Sequence, residues 1–464
     1  MVDIEQIVSK AMGYGVDFVD VRYSRIVYEM IIVDNGVVRE YNVHRLCGIG
    51  LRVVVDGYTG FASTNIVSRE SIEKLIERAY SIARAMKDRG RKTGFVEKKV
   101  VRDKVTSSYR VDPFDIDSSE KIKLLMEAYK SGRSVEDVSS LTVVMGMERD
   151  HRVYASSYGD HVESIVHLIG YGVVAIASHA GVMERVYDGE SMVAGWEFIE
   201  KSDLPKFSRE VSELASKAVK APTLKPGVYT AVLDNEMVGL MLHEAFGHAT
   251  EGDIVESRDS ILYGRIGEKV ASEKVTIIDD GNVEGGYYVV YDDEGCLKKK
   301  VATVENGVLK TFLHSLSTAY SLGGEPTGNA RAMNYSSPVL VRQTNTYMAP
   351  GDYRVEELFE DIDYGVYIRG RGALGGQVDT SMGTFTFTAG PSYIIEKGEP
   401  RQMVRGVMLS GSILETLKNV DAVARDLRVK TSVFGGCGKD GQMVRVGDGG
   451  PHVRVKRITI GSSR

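Results

Sequence analysis

Apolar residues recur at helical spacing over Ile4–Met12, and from Val19 the pattern changes to the two-residue alternation of half-buried strands. Val19, Val21 and Tyr23 lead into the run 30–33, and Asp34-Asn35-Gly36 followed by Val37-Val38 predicts a tight hairpin. Residues 51–55, the turn Asp56-Gly57 and residues 58–62 repeat the arrangement, so three or four antiparallel strands are expected in the first sixty-odd residues. Ser68 then reads as an N-cap for a helix with Ile72, Leu75, Ile76, Ala79, Ile82, Ala83 and Met86 on one face, stopped near Gly90. A second helix is predicted over 120–130, with Ile122, Leu125, Met126 and Tyr129 inward and Gly132 at its end.

Strand pattern returns as four segments, 142–147, 153–158, 161–169 and 171–179, and a third helix follows over 208–219. Ala221-Pro222 ends that helix, and Thr223-Leu224-Lys225-Pro226-Gly227 reads as a linker. The division expected is therefore an N-terminal α+β domain, 1–221, and a C-terminal β-rich domain, 222–464. The second contains one strong helical stretch, 234–248, and a shorter one, 411–418. Its remaining pattern is strand and turn, at 275–278, 287–291, 301–305, 339–342, 365–369, 384–388, 393–396 and 452–460. The fold class this predicts is α+β: an N-terminal antiparallel sheet with helices, then a largely antiparallel, barrel- or sandwich-like β domain carrying one catalytic helix. No fixed-period repeat is present.

Composition narrows the functional classes. The chain has 464 residues, with 58 basic against 64 acidic and a formal net charge of −6, so there is no global positive field to hold nucleic acid. The start, Met-Val-Asp-Ile-Glu-Gln, lacks the basic, apolar order of a secretion signal. The longest apolar stretch, 171–183, is broken by Ser178, His179 and Gly181, short of the roughly 20 residues a membrane span needs. Three cysteines cannot form a disulfide framework, and a cytoplasmic protein is expected. Glycine, at 50 of 464 residues or about 11%, exceeds the usual roughly 7% and concentrates in the second half, where it calls for tight turns or close backbone approaches.

The helix after the linker holds His243-Glu244-Ala245-Phe246-Gly247-His248. In the common zinc-protease motif the second histidine follows four residues after the first, which brings both rings to one helix face. Here it follows five later, and at about 100° per residue an ideal α-helix would set the rings about 140° apart. Two local geometries restore chelation: a single π-type turn at Gly247, or a helix that ends there and bends His248 inward. On their own, two histidines and a glutamate in a helix are as much at home in a satisfied core as on a metal. Glu251 and Asp253, just beyond, form an acid cluster able to support ligating imidazoles.

A third ligand has to come from elsewhere, and a thiolate completes a His₂Cys set with one position open for water. Cys437, between Gly436 and Gly438 and near Lys439, which would favour the thiolate, is the first candidate. Cys296, in Asp293-Glu294-Gly295-Cys296, is the second, with acidic neighbours that disfavour ionisation. Cys47 reads as a small buried hydrophobe. Gly370-Arg371-Gly372-Ala373-Leu374-Gly375 spells a dinucleotide fingerprint with Glu396 some distance on, but the pattern after it is strand where the fingerprint needs a helix. Residues 435–439 have the wrong spacing for a phosphate loop, and His314 and His452 have no partner at chelating spacing.

Taken with Asp292-Asp293-Glu294-Gly295, Glu305-Asn306-Gly307, Pro326-Thr327-Gly328-Asn329, Thr344-Asn345-Thr346-Tyr347-Met348-Ala349-Pro350-Gly351, Gly376-Gln377-Val378-Asp379 and Cys437-Gly438-Lys439-Asp440-Gly441-Gln442, the motif resembles the TldD/PmbA metalloproteases across most of 225–445. The PmbA/TldE branch lacks the His-Glu-x-x-x-His motif, so the resemblance is to the TldD branch. It implies zinc (Zn2+) held by His243, His248 and Cys437, with Glu244 as general base, cutting short or unfolded peptides in an enclosed dimer cavity. The implied dimer is a homodimer or a heterodimer with a TldE/PmbA-like subunit. The alternatives are a non-catalytic, peptide-binding subunit with a structural metal, and processing of one specific modified peptide. Glu244 distinguishes the first of these, because a closed structural site needs no base beside its ligands.

Overall fold

In the computed structural model, which describes residues 3–88, 90, 92–373 and 375–462, Asp3 caps α1 (Ile4–Met12) by accepting from the backbone of Glu5 and Gln6. Strands β1 (Phe18–Asp34) and β2 (Val37–Val55) form the expected hairpin, with Asn35 and Gly36 at φ of 48° and 82°, the left-handed pair that a two-residue turn demands. β3 (Tyr58–Thr64) pairs with β2, and Ser68 caps α2 (Arg69–Ala85) as its position predicted. After β4 (Arg102–Thr106) comes α3 (Ser118–Arg133), longer than expected at both ends; at its start Asp117, five residues ahead of Ile122, is the cap.

The four strands expected between 142 and 179 are two. β5 (Val138–Ser156) and β6 (His161–His179) run unbroken. The polar middle of β5 is satisfied in place: Arg152 binds Asp150, and Arg149 reaches Asp112 at 2.8 Å. At Gly170, which read as a break in β6, a side chain would meet Ser191 Oγ at 2.2 Å, so glycine admits β7 (Val182–Met192) alongside. The sheet order is β3-β2-β1-β5-β6, with β4, parallel, and β7, antiparallel, sharing the outer edge of β6.

Val19 and Val21 at one end of β1 and Ile31 and Val33 at the other face the helices. α1 and α2 cover one end of that apolar face, and α3 and α5 (Leu204–Ala218), preceded by the single turn α4 (Glu197–Glu200), cover the other. The polar even-numbered positions at the start of β1, Asp20, Arg22 and Ser24, are also buried, where the second half docks. Arg52 binds Asp20 and reaches Glu294 at 2.7 Å, Arg152 reaches Asp293 at 3.0 Å, and Arg445 pairs with Glu148 at 2.6 Å. Residues 287–291, expected as a strand, are irregular. Tyr287, Tyr288 and Val289 spend their apolar surface packing on Val166 and Leu168 of β6 instead of pairing.

The second half is built on β8 (Gly227–Leu233), which lies between the antiparallel strand Val453–Ser462 and the parallel strand Tyr364–Ile368 in the centre of a nine-stranded sheet. A six-stranded sheet holds Ile277–Asp279, Val301–Glu305 and Asn345–Met348 among others. Both contribute to one core, in which α6 (Asn235–Met241) and its continuation are packed. The architecture is α+β and mostly antiparallel, as the pattern predicted. The short helix Ile413–Lys418 is where it was expected, whereas Leu316–Leu322 was not foreseen: its capping box is completed by Thr318, not by an acid. After Gly370 the chain enters the strand Gly375–Asp379, so the dinucleotide fingerprint has no helix, and Leu374 within it lies outside the described residues. Among the described residues no helix is long and apolar enough to cross a membrane.

Candidate metal centre

Asp234 starts the helix that carries the motif, its carboxylate accepting from Met237 N–H at 2.9 Å and Gly370 N–H at 2.8 Å. Met237, Val238, Met241, Leu242, Ala245 and Phe246 anchor the helix in the core. From Leu242 to Gly247 the helix widens into a π turn, and His248–Thr250 closes as a 3-10 turn. Of the two geometries that would restore chelation at five-residue spacing, the structure adopts the π turn, and the rings of His243 and His248 lie 5.3 Å apart between centroids, inclined at 77°.

Cys437, on the strand Cys437–Lys439, closes the group. One ligand atom from each of His243, His248 and Cys437 lies within 4.8 Å of the others, and all three residues are buried. His248 Nε2 is 3.1 Å from Cys437 Sγ, and its Nδ1 is 3.1 Å from Glu251 Oε2. His243 is only 3% exposed, yet neither ring nitrogen has a hydrogen-bond partner. Burial pushes the Cys437 thiol up, but His243 and His248 outweigh it and hold the thiol down to about 5. Burial works against the His243 imidazolium, and the Cys437 thiolate reverses that to about 9. An orphaned buried imidazole beside an ionised thiol and a second, oriented imidazole fits a soft divalent cation such as zinc, a donor set that two hydrogen bonds cannot satisfy.

Glu251 is fully buried. Burial opposes its charge, but His248 and Lys439 hold its carboxyl at about 2. Asp253 does not touch an imidazole: it binds Lys439 Nζ at 2.6 Å and accepts from Val341 N–H at 3.1 Å. Lys439 was expected to favour the thiolate, but its ammonium is engaged by Glu251 at 2.9 Å, Asp253 and the Val341 carbonyl, and the imidazoles do that work. Cys296 is buried elsewhere, its thiol pushed up by burial and by Asp292. Cys47, expected to be buried, is exposed: the β1–β2 hairpin is open to solvent there, and Sγ lies 3.4 Å from Tyr23 Oη.

Glu244 is half-buried and lines, with His243 and Cys437, a cavity of about 320 Å³ between β7 and the second half. Lys430 stands on its wall, holding Glu236 at 2.6 Å and Glu190 at 3.0 Å. Asp448, also on the wall, has its carboxyl pushed up to about 6 by burial. Neither was foreseen. The signal for Asp448 was a carboxylate set among glycines, Gly447-Asp448-Gly449-Gly450, whereas Lys430 sits in an ordinary alternating strand.

An α+β scaffold that gathers two imidazoles and a thiol, with a neighbouring glutamate on an adjoining cavity wall, has the make-up of a metal-dependent hydrolase. Comparison with known proteins gives that class a family. Residues 226–462 match the PmbA/TldA metallopeptidase C-terminal domain, 19–83 match domain 1 and 111–220 the central domain. The chain belongs to the TldD/PmbA metallopeptidase family, on its TldD branch. It is 39% identical to a metalloprotease of Methanothermobacter thermautotrophicus over 97% of this chain and 96% of that one. It is 29% identical to a zinc metalloprotease TldD homolog of Saccharolobus solfataricus over 98% of each. The fold is shared with TldE from Thermococcus kodakarensis, at a TM-score of 0.78 and 18% identity over 99% of this chain and 100% of that one.

Proposed function

We propose that this chain is a zinc-dependent peptidase of short or unfolded peptides, with His243, His248 and Cys437 holding the ion and Glu244 acting as general base. The observation that carries the reading is the buried His243 ring, with both nitrogens unpartnered, against the lowered Cys437 thiol and with Glu244 on the adjoining cavity wall. Zinc, when bound there, would supply Lewis acidity, polarising a scissile carbonyl and acidifying water. Glu244, next in sequence to one ligand, takes the proton of the attacking water and returns it to the leaving amine. Glu251 holds His248 by Nδ1, leaving Nε2 for the ion, and Asp253 acts through Lys439.

A cavity of about 320 Å³ admits a few residues of an extended chain, and its enclosure in a dimer would bar folded proteins. Under this reading the enzyme is cytoplasmic, with domains 1–221 and 222–464. It works as a homodimer or with a TldE/PmbA-like subunit, as the shared fold with TldE suggests, without nucleic acid or membrane. The test is zinc content together with cleavage of unstructured peptides by the wild type, Glu244→Ala and Cys437→Ala. Near-stoichiometric zinc and cleavage in the wild type, zinc without cleavage in Glu244→Ala, and weakened zinc in Cys437→Ala are expected. Full cleavage by Glu244→Ala would leave a non-catalytic role for the glutamate and overturn the mechanism.

A further inference from the structure

Gln343 lies wholly buried between the strands Leu340–Val341 and Asn345–Met348. Its side-chain amide faces the π turn. Nε2 donates to the His243 carbonyl at 3.0 Å, and Oε1 accepts from Thr346 Oγ1 at 2.6 Å. The amide orientation follows from its partners, since a carbonyl oxygen only accepts. Gln343 also uses its main chain: its N–H donates to Glu251 Oε1 at 3.1 Å, and its carbonyl accepts from Arg331 Nη1 at 2.8 Å.

The fit to Gly247 is close. A Cβ there would fall 1.8 Å from Gln343 Oε1 and 2.4 Å from Cδ, so the amide occupies the space that a side chain at 247 would need. Gly247 itself has φ of −59° and ψ of −46°, ordinary helical values that any residue adopts. Glycine is therefore required at 247 for the space it leaves, not for backbone freedom. A π turn is a minority geometry that persists only where its surroundings over-determine it. One side chain here binds the carbonyl of the first histidine and fills the groove just before the second. The same residue's N–H fixes the carboxylate that orients the second histidine.

We infer that Gln343 is the positioning residue that keys the π turn and so makes histidines five apart able to share one ion. The inference rests on the reading of His243, His248 and Cys437 as a metal site. Neither Gln343 nor Thr346 touches the reacting atoms; their effect passes through the helix.

The test uses the full chain as wild type, Gln343→Glu and Gln343→Met. The first is isosteric and puts an acceptor against the His243 carbonyl; the second keeps length and removes both polar atoms. Zinc affinity, by competition with a chromophoric chelator, is expected to fall 10- to 100-fold in both, with metal-free Gln343→Met keeping a cooperative unfolding transition. Crystal structures of the metal-free variants should show residues 242–247 returned to α-helical bonding and the two imidazoles farther apart than 5.3 Å between centroids. A retained π turn, or zinc affinity within threefold of wild type in both variants, overturns the inference. Wild-type protein that takes up no zinc overturns the metal-site reading, while the metal-free structures still decide whether Gln343 holds the turn.

Discussion

Lys439→Met is the substitution for which the structure sets the clearest cost. Lys439 Nζ lies 2.9 Å from Glu251, 2.6 Å from Asp253 and 3.0 Å from the Val341 carbonyl, and the side chain is 11% exposed. Methionine keeps the apolar stem and removes the charge, leaving two carboxylates and a carbonyl without their donor. Breaking a buried ion pair from one side costs about 3–5 kcal/mol. Glu251 keeps His248 and the Gln343 N–H, and Asp253, with 28% of its side chain exposed, can protonate, so the lower end, about 3 kcal/mol, is expected. For a cooperative unit the size of the second half this lowers the melting temperature by roughly 6–12 °C. The measurement is denaturant and thermal unfolding with a chelator present, for wild type, Lys439→Met, Asp253→Asn and the double variant. A loss under about 1 kcal/mol, or a double-mutant cycle additive to within about 0.3 kcal/mol, would show that the triad does not hold the site together.

Acid stability should carry a signature of His314. Burial holds this imidazole down at about 4 in the folded protein, so between pH 4 and the unfolded value near 6.5 the unfolded chain binds the extra proton and stability rises with pH, by up to about 1.4 kcal/mol per unit. His314→Gln should flatten that limb in urea titrations from pH 7.5 to 4.5, and an unchanged slope refutes it. Gly60→Ala places a Cβ 2.0 Å from the Ala79 carbonyl and 2.6 Å from Ala83 N, forcing α2 off β3, with a loss of about 1–3 kcal/mol on far-ultraviolet unfolding curves. A loss below about 0.5 kcal/mol would mean that the helix shifts freely on the sheet.

Much of this is legible in the sequence because it is local. The Asn-Gly turn, the Ser68 cap, the apolar stripe of α2 and the irregular helix geometry expected from the spacing of His243 and His248, of which the π turn was one of two forms, all follow from residues within a turn or so of one another. What was missed depends on distant contacts. Strand breaks placed near Asp150 and Gly170 vanish because Asp112 and Asp293, remote in sequence, hold Arg149 and Arg152, and Ser191 packs against the glycine. The alternation of β1 showed a polar face but not that this face would be buried against the second half. Lys439 meets Glu251 and Asp253 only in space, 188 and 186 residues away along the chain, and Gln343, about a hundred residues from His243, carries no mark in its own neighbourhood.

The position of β8 has a consequence for how the protein is made. The strand that leads directly into the motif helix is hydrogen-bonded on one side to Tyr364–Ile368 and on the other to Val453–Ser462, more than two hundred residues later in the chain. During synthesis the first half can pair its sheet and cover it while translation continues, since domains fold as units from the N-terminus. The histidines emerge soon afterwards but cannot be brought to Cys437, and their strand keeps an open edge until residues 453–462 exist. The three residues of the proposed centre therefore cannot assemble on the ribosome, and truncations that stop short of that strand are expected to yield an unassembled centre, not a weakened one.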